Sequence, residues 1–93
     1  MLEFEWDDDK AASNLVKHGV AFADAARLFD DIHALHLIDR SMNHGEERLI
    51  GVGMVNGIVL TVVYTERGER IRLISARKAT RHEQRSYDQE REG

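Results

Sequence analysis

The chain has no cysteine. A disulfide framework, a thiolate zinc site and a cysteine nucleophile are therefore excluded, and the composition suits a reducing compartment. Long apolar runs are also missing. The longest, Ile58–Val63 with Thr61 inside it, falls far short of the roughly 18–20 residues that span a bilayer. The opening Met1-Leu2-Glu3-Phe4-Glu5 lacks the cationic start of a signal peptide. These absences predict a cytoplasmic protein. Phosphate-loop and dinucleotide fingerprints are missing too, because Gly51-Val52-Gly53 falls inside a predicted strand instead of between strand and helix. What remains is 93 residues, 32% charged and 42% hydrophobic, which is enough for a single domain, residues 1–93, with one modest core.

The net charge of −4 hides an asymmetry. Residues 1–47 carry 4 Lys/Arg against 11 Asp/Glu. Residues 48–87 carry 8 (Arg48, Arg67, Arg70, Arg72, Arg77, Lys78, Arg81 and Arg85) against 3 Glu. A weakly acidic protein can thus focus a positive field on one face, and phosphate attraction depends on that patch and not on the total.

Leu2, Phe4 and Trp6 alternate with Glu3 and Glu5, the period of a short half-buried strand. Asp7 is placed to N-cap a helix through about Val16, which Gly19 ends after Lys17-His18. Phe22, Ala25, Ala26 and Phe29 share one stripe of a second helix, about Phe22–Asp30. Four strands follow, over about 34–39, 47–55, 58–65 and 70–76. Asn56-Gly57 is a two-residue hairpin signal, and residues 66–69 read as a looser four-residue turn. Thr80 and Glu83 form a capping-box pattern that opens a helix to about Gln89. The fold class is α+β: a short N-terminal strand, two helices, a four-stranded mostly antiparallel sheet and a C-terminal helix.

The turns fix which side chains share a face. Val55 opposite Ile58 sets Leu49 opposite Tyr64 and Arg48 opposite Thr65. A four-residue second turn sets Thr65 opposite Arg70 and Val63 opposite Arg72. Leu49, Leu60, Val62, Tyr64, Ile71 and Leu73 then line the face that should take the helices. The other face carries Arg48, Thr61, Thr65, Arg70 and Arg72 among Ile50, Val52, Val63 and Ile74.

Arginines gathered at one end of a sheet face suit phosphate chemistry. Metal-free RNA cleavage needs an aligned 2′-hydroxyl, neutralisation of the phosphorane and proton transfer. Guanidinium supplies the second as a permanent donor fork, but it is a poor base. His18, Glu47 or Lys17 would move protons. Plainer readings stand beside these. Arg48 and Arg72 can be solvated neighbours of glutamates, Arg77-Lys78 a surface pair and His18 a partner of the helix dipole. Tyr64, Trp6 and Phe29 fit core packing. His33 and His36, at strand period, point to opposite faces, and His44 and His82 are scattered, so no metal or other cofactor is expected.

Several segments together resemble the BrnT family of type II toxin–antitoxin ribonucleases. They are Phe4-Glu5-Trp6-Asp7, Lys10-Ala11, Asn14-Leu15, Lys17-His18-Gly19-Val20, and Phe22 with Ala25 and Phe29. Further on come Glu47-Arg48, Ile50-Gly51, Tyr64-Thr65-Glu66-Arg67 and Ile71 through Thr80. The resemblance implies a RelE-like fold and an RNA-cutting toxin that blocks translation. It also implies a BrnA-like antitoxin that binds DNA, in a heterotetramer that represses its own operon. Carried onto this chain, it marks Lys17, His18, Glu47, Arg48, Arg67, Arg72 and Arg77. We assign Arg67, Arg72 and Arg77 to the phosphate, His18 or Glu47 to proton transfer, and Lys17 and Arg48, with Lys78 and Thr65 beside them, to holding RNA. The chain departs from the family in having no proline, with Asp8 and Ile32 at frequent proline positions, and in Ala21, which replaces a frequent serine and removes a helix cap.

Two rival readings use the same features. A non-catalytic module would hold RNA or an acidic protein segment on the basic face. A small DNA-binding repressor would use the Thr80–Gln89 helix with His82, Arg85 and Gln89, although no helix-turn-helix is recognisable.

Overall fold

The computed structural model describes residues 2–40 and 45–93, so His44 lies outside the described residues. Local signals build most elements. Strand β1 is Glu3–Glu5. The Asp7 carboxylate accepts the amides of Asp9 and Lys10, at 2.8 and 3.3 Å, and starts helix α1, Asp8–His18. Gly19, at φ +70°, ends it. Ala21 offers no side-chain cap to α2, Phe22–Ala25, which tightens at once into a 3₁₀ turn over Ala26–Asp30. The predicted second helix is therefore split. Of its expected stripe Phe22 and Ala25 are buried and Ala26 and Phe29 only partly so, while Leu28, outside that stripe, is fully buried. Strands β2 (Leu35–Asp39), β3 (Arg48–Val55), β4 (Ile58–Arg67) and β5 (Arg70–Lys78) follow. Asn56 and Gly57 sit at φ +50° and +80°, the two positive angles of the predicted hairpin. Thr80 and Glu83 complete the capping box of α3, Arg81–Glu92. Among the described residues no helix is long and apolar enough to cross a membrane.

The class is α+β, but the sheet has five strands and not four, in the order β1-β5-β4-β3-β2. β1 is not a separate strand. It pairs in parallel with β5, Glu3 with Arg70, Phe4 with Ile71 and Glu5 with Arg72, so an isolated three-residue segment gains a ladder. The other neighbours are antiparallel. The second turn also differs from expectation. Only Gly68-Glu69 turn, with Gly68 at φ +59°, and Arg67 pairs with Arg70. Thr65 therefore faces Arg72 instead of Arg70. The slip is two residues, so each side chain stays on its predicted face.

A bulge then changes the pattern. Tyr64 pairs with Leu73, but Val63 pairs with Ser75, leaving Ile74 as the extra residue of β5. Without it, strict alternation would turn Arg77 toward the core. With it, Ala76 enters the core and Arg77 stands opposite Thr61 on the arginine-bearing face.

Helices α1 and α2 cover the face predicted for them, over Val55, Leu60, Val62, Tyr64, Ile71, Leu73 and Ala76. The approach is close at Gly53, where a Cβ would lie 2.9 Å from both Ala34 Cβ and Leu28 Cγ. Helix α3 was expected there too, yet it packs on the opposite face, with Tyr87 against Val52, Val59, Ile50 and Met54. The buried Tyr87 hydroxyl donates to Asp31 Oδ2 at 2.6 Å. Burial and the Asp31 charge push Tyr87 up to about 12. Burial opposes ionisation of Asp31 as well, but donors from Tyr87, Met54 N and His33 N leave its carboxyl below the usual range.

Candidate active site

The pairing registers align one residue from every strand on the face opposite α1 and α2. Glu5 pairs with Arg72, Arg72 with Thr65, and Arg48 with Asp39. Leu49 opposite Tyr64 carries Arg48 opposite Thr65. The row across the sheet is thus Glu5, Arg72, Thr65, Arg48, Asp39. Thr65 is buried, and its hydroxyl donates to the Glu47 carbonyl at 2.8 Å, so it ties down the start of β3 and is not available to a ligand. Arg72 and Arg48 flank it, half-buried. The next row adds Arg67 and Arg70, with Glu3 at its edge.

Carboxylates temper this basic end. Arg72 Nη1 donates to Glu5 Oε2 at 2.7 Å, Arg70 lies 3.5 Å from Glu3, and Arg67 lies 3.5 Å from Glu46. Arg48 differs. Among the described residues it holds no ion pair, and its Nε is buried without a hydrogen-bond partner. An unsatisfied buried donor is uncommon, and it sets Arg48 apart from the three carboxylate-paired arginines.

Arg77 and Lys78 stand at the other end of β5. Thr61 and Thr65 mark the separation of Arg77 and Arg72, about 13 Å at 3.3 Å per residue, and Arg67 is about 20 Å from Arg77 on the same scale. Arg67, Arg72 and Arg77 therefore share a face, but they do not converge on one phosphodiester. Arg77 is also engaged, as Nη1 and Nη2 form a fork on Glu83 at 2.7 and 3.0 Å. Glu83 takes a further bond from the buried Thr61 hydroxyl at 2.9 Å and caps α3 through Thr80 N at 2.8 Å. The Arg77 fork, against burial, holds the Glu83 carboxyl at about 2.

Because the folded value lies below the ordinary 4.5, Glu83 stabilises the protein above that pH and loses its effect as pH falls toward 2. Thermal melts should show wild type exceeding Glu83→Gln by about 1–2 kcal/mol at pH 7, after allowance for solvent screening, with the gap closing by about pH 2.

The remaining candidates lie apart. Lys17 and His18 form the last turn of α1, on the helix side of the sheet, where they complement the helix dipole. Among the described residues neither holds an ion pair. Glu47 is exposed beside Arg48. Tyr64 is core, as its plain reading held. Its hydroxyl lies 2.8 Å from His36 Nδ1, and burial, aided by the Glu66 charge, pushes it up to about 12. His33 and His36 do not meet, and among the described residues no three His, Asp or Glu side chains converge.

Residues 6–83 match the family described as the ribonuclease toxin, BrnT, of type II toxin–antitoxin systems. The chain belongs to the BrnT family. No curated protein matches it. As a BrnT-family member it is a ribonuclease toxin by family, with RNA as target and an antitoxin protein as partner. The match ends at Glu83, so most of α3 lies beyond it.

Three important polar contacts were not read from the sequence. Asn14, 6% exposed, donates to the carbonyls of Val20 and Ala76 and accepts from Ala76 N, clamping α1 to β5. Its helix-face neighbours, Lys10, Ala11, Lys17 and His18, are mostly polar, so nothing in the sequence marked this amide as buried. Glu83 was recognised as a cap but not as the Arg77 partner. Glu5 alternates with Phe4 and Trp6, which shows its face but not the distant Arg72.

Proposed function

We propose that this BrnT-family chain is a metal-independent endoribonuclease that blocks translation and is held inactive by a BrnA-like antitoxin. The row Glu5–Arg72–Thr65–Arg48–Asp39 carries the reading, because it sets two guanidiniums on one sheet face, on either side of Thr65. Arg48 and Arg72 neutralise the phosphorane formed when a ribose 2′-hydroxyl attacks its own phosphate, and Arg67 and Arg70 hold the next phosphate. Glu47, exposed next to Arg48, is better placed than His18 to take the hydroxyl proton. Arg77, on the same face, contacts flanking RNA, whereas Lys78 and Lys17 lie toward the helix side of the sheet. The helix pair on a mostly antiparallel sheet supports the RelE-like label, and the heterotetramer and its DNA contact through the antitoxin belong to the same proposal.

Purified protein incubated with labelled RNA in EDTA should give fragments ending in a 2′,3′-cyclic phosphate, and expression without antitoxin should arrest growth. Intact RNA and normal growth would sink the reading. The three Glu-paired arginines favour a second one, a non-catalytic RNA-binding module. It predicts salt-sensitive binding with no cleaved product.

A further inference from the structure

We infer that Glu5 is a positioning residue for RNA phosphate: it fixes the Arg72 guanidinium by one edge and so presents its other donors to substrate. The inference rests on the ribonuclease reading above. Its geometry is specific. Glu5 and Arg72 are directly paired in the parallel β1–β5 ladder, and their side chains stand on the arginine-bearing face. Arg72 Nη1 meets Glu5 Oε2 at 2.7 Å, with the two side chains 28% and 26% exposed, so the contact is part of the sheet and not a solvated encounter. The rest of the Arg72 fork holds no other partner among the described residues. Thr65, the neighbour on the other side, spends its hydroxyl on Glu47 O and makes no bond to the guanidinium.

The arrangement has two opposing effects on RNA. The fixed carboxylate orients the guanidinium before substrate arrives, which favours the transition state. Its negative charge also repels an incoming phosphate, which weakens ground-state binding. Glu3 and Arg70 repeat the pairing one row on, but at 3.5 Å and with both side chains more than half exposed. That pair neutralises charge without fixing an orientation.

The two effects can be separated. Glu5→Gln keeps an acceptor for Arg72 and removes the charge, so KM should fall about threefold to tenfold with kcat nearly unchanged. Glu5→Ala removes both, so KM should fall similarly while kcat drops about tenfold to a hundredfold. Both are measured on the purified chain with labelled RNA in EDTA, and thermal melts confirm that each variant is folded. In parallel, binding of an all-deoxy, non-cleavable single strand is measured for wild type, Glu5→Gln, Arg72→Ala and the double variant. The Gln substitution should tighten binding with Arg72 present and have little effect without it. If wild type cuts RNA but both Glu5 variants match it in kcat and KM, Glu5 is a sheet-edge partner only and the inference is overturned. A wild-type chain that neither cuts RNA nor binds the strand instead removes the ribonuclease reading itself.

Discussion

Replacing Asn14 with alanine is expected to cost about 3–4 kcal/mol, a large share of the 5–15 kcal/mol that holds a domain of this size together. Three hydrogen bonds end on this one amide, at 2.9, 2.9 and 3.0 Å, and all are buried. β1 covers the outer edge of β5 only from Arg70 to Arg72. Farther along, Asn14 presents a carbonyl and an N–H to Ala76 much as another strand would. Alanine leaves the Ala76 N–H and two carbonyls without partners and opens a gap under α1. The melting temperature should fall by roughly 15 °C or more, read by circular dichroism. Asn14→Asp is a sharper probe. It still accepts from Ala76 N, but it sets a carboxylate against two carbonyl oxygens, so it should be at least as damaging at pH 7 and partly recover in acid as the carboxyl gains a proton to donate. Equal melting temperatures for wild type and Asn14→Ala would show that the clamp contributes nothing.

The second large effect is on activity. Arg48→Ala should lower RNA cleavage about 10²–10³-fold while leaving the melting temperature nearly unchanged. Arg48 is the arginine of the row without a carboxylate partner among the described residues, so its removal strands no buried opposite charge. Arg48→Lys should restore little, since an ammonium cannot reproduce the planar fork. Arg77→Ala makes the contrast. It releases Glu83 from its fork, loosens α3 and costs stability, so any lost activity should come with a lowered melting temperature. If Arg48→Ala cleaves like wild type, the phosphate does not sit on this row.

How much of this was legible depends on how far apart the partners are. The Asn56-Gly57 hairpin, the Asp7 and Thr80 caps and the Gly19 stop are written in two to four adjacent residues, and each formed where expected. Both faces of the sheet followed from alternation and survived a two-residue error in register. The error arose because Glu66 and Arg67 have turn-like polarity, yet they continue β4 once Arg67 can pair with Arg70. The pairing of β1 with β5 carries no local signal. Neither does the bulge at Ile74, an apolar residue in an apolar strand, though it decides which way Arg77 faces. α3 buries one residue, Tyr87, and so gave no stripe to reveal its face.

For the site, charge type and strand parity located Arg48 and Arg72 correctly on one face. They could not show that Arg77 stands several residues away, or that carboxylates from β1 and α3 reach the same surface.

The β1–β5 ladder has a consequence for the order of assembly. Glu5 and Arg72 are 67 positions apart, so β1 leaves the ribosome long before its partner exists. The helices and the β2–β3–β4 meander can begin to organise, but the row that holds Arg72 cannot be completed on a nascent fragment. Whatever this row binds, it can bind only after β5 has been made and has joined β1.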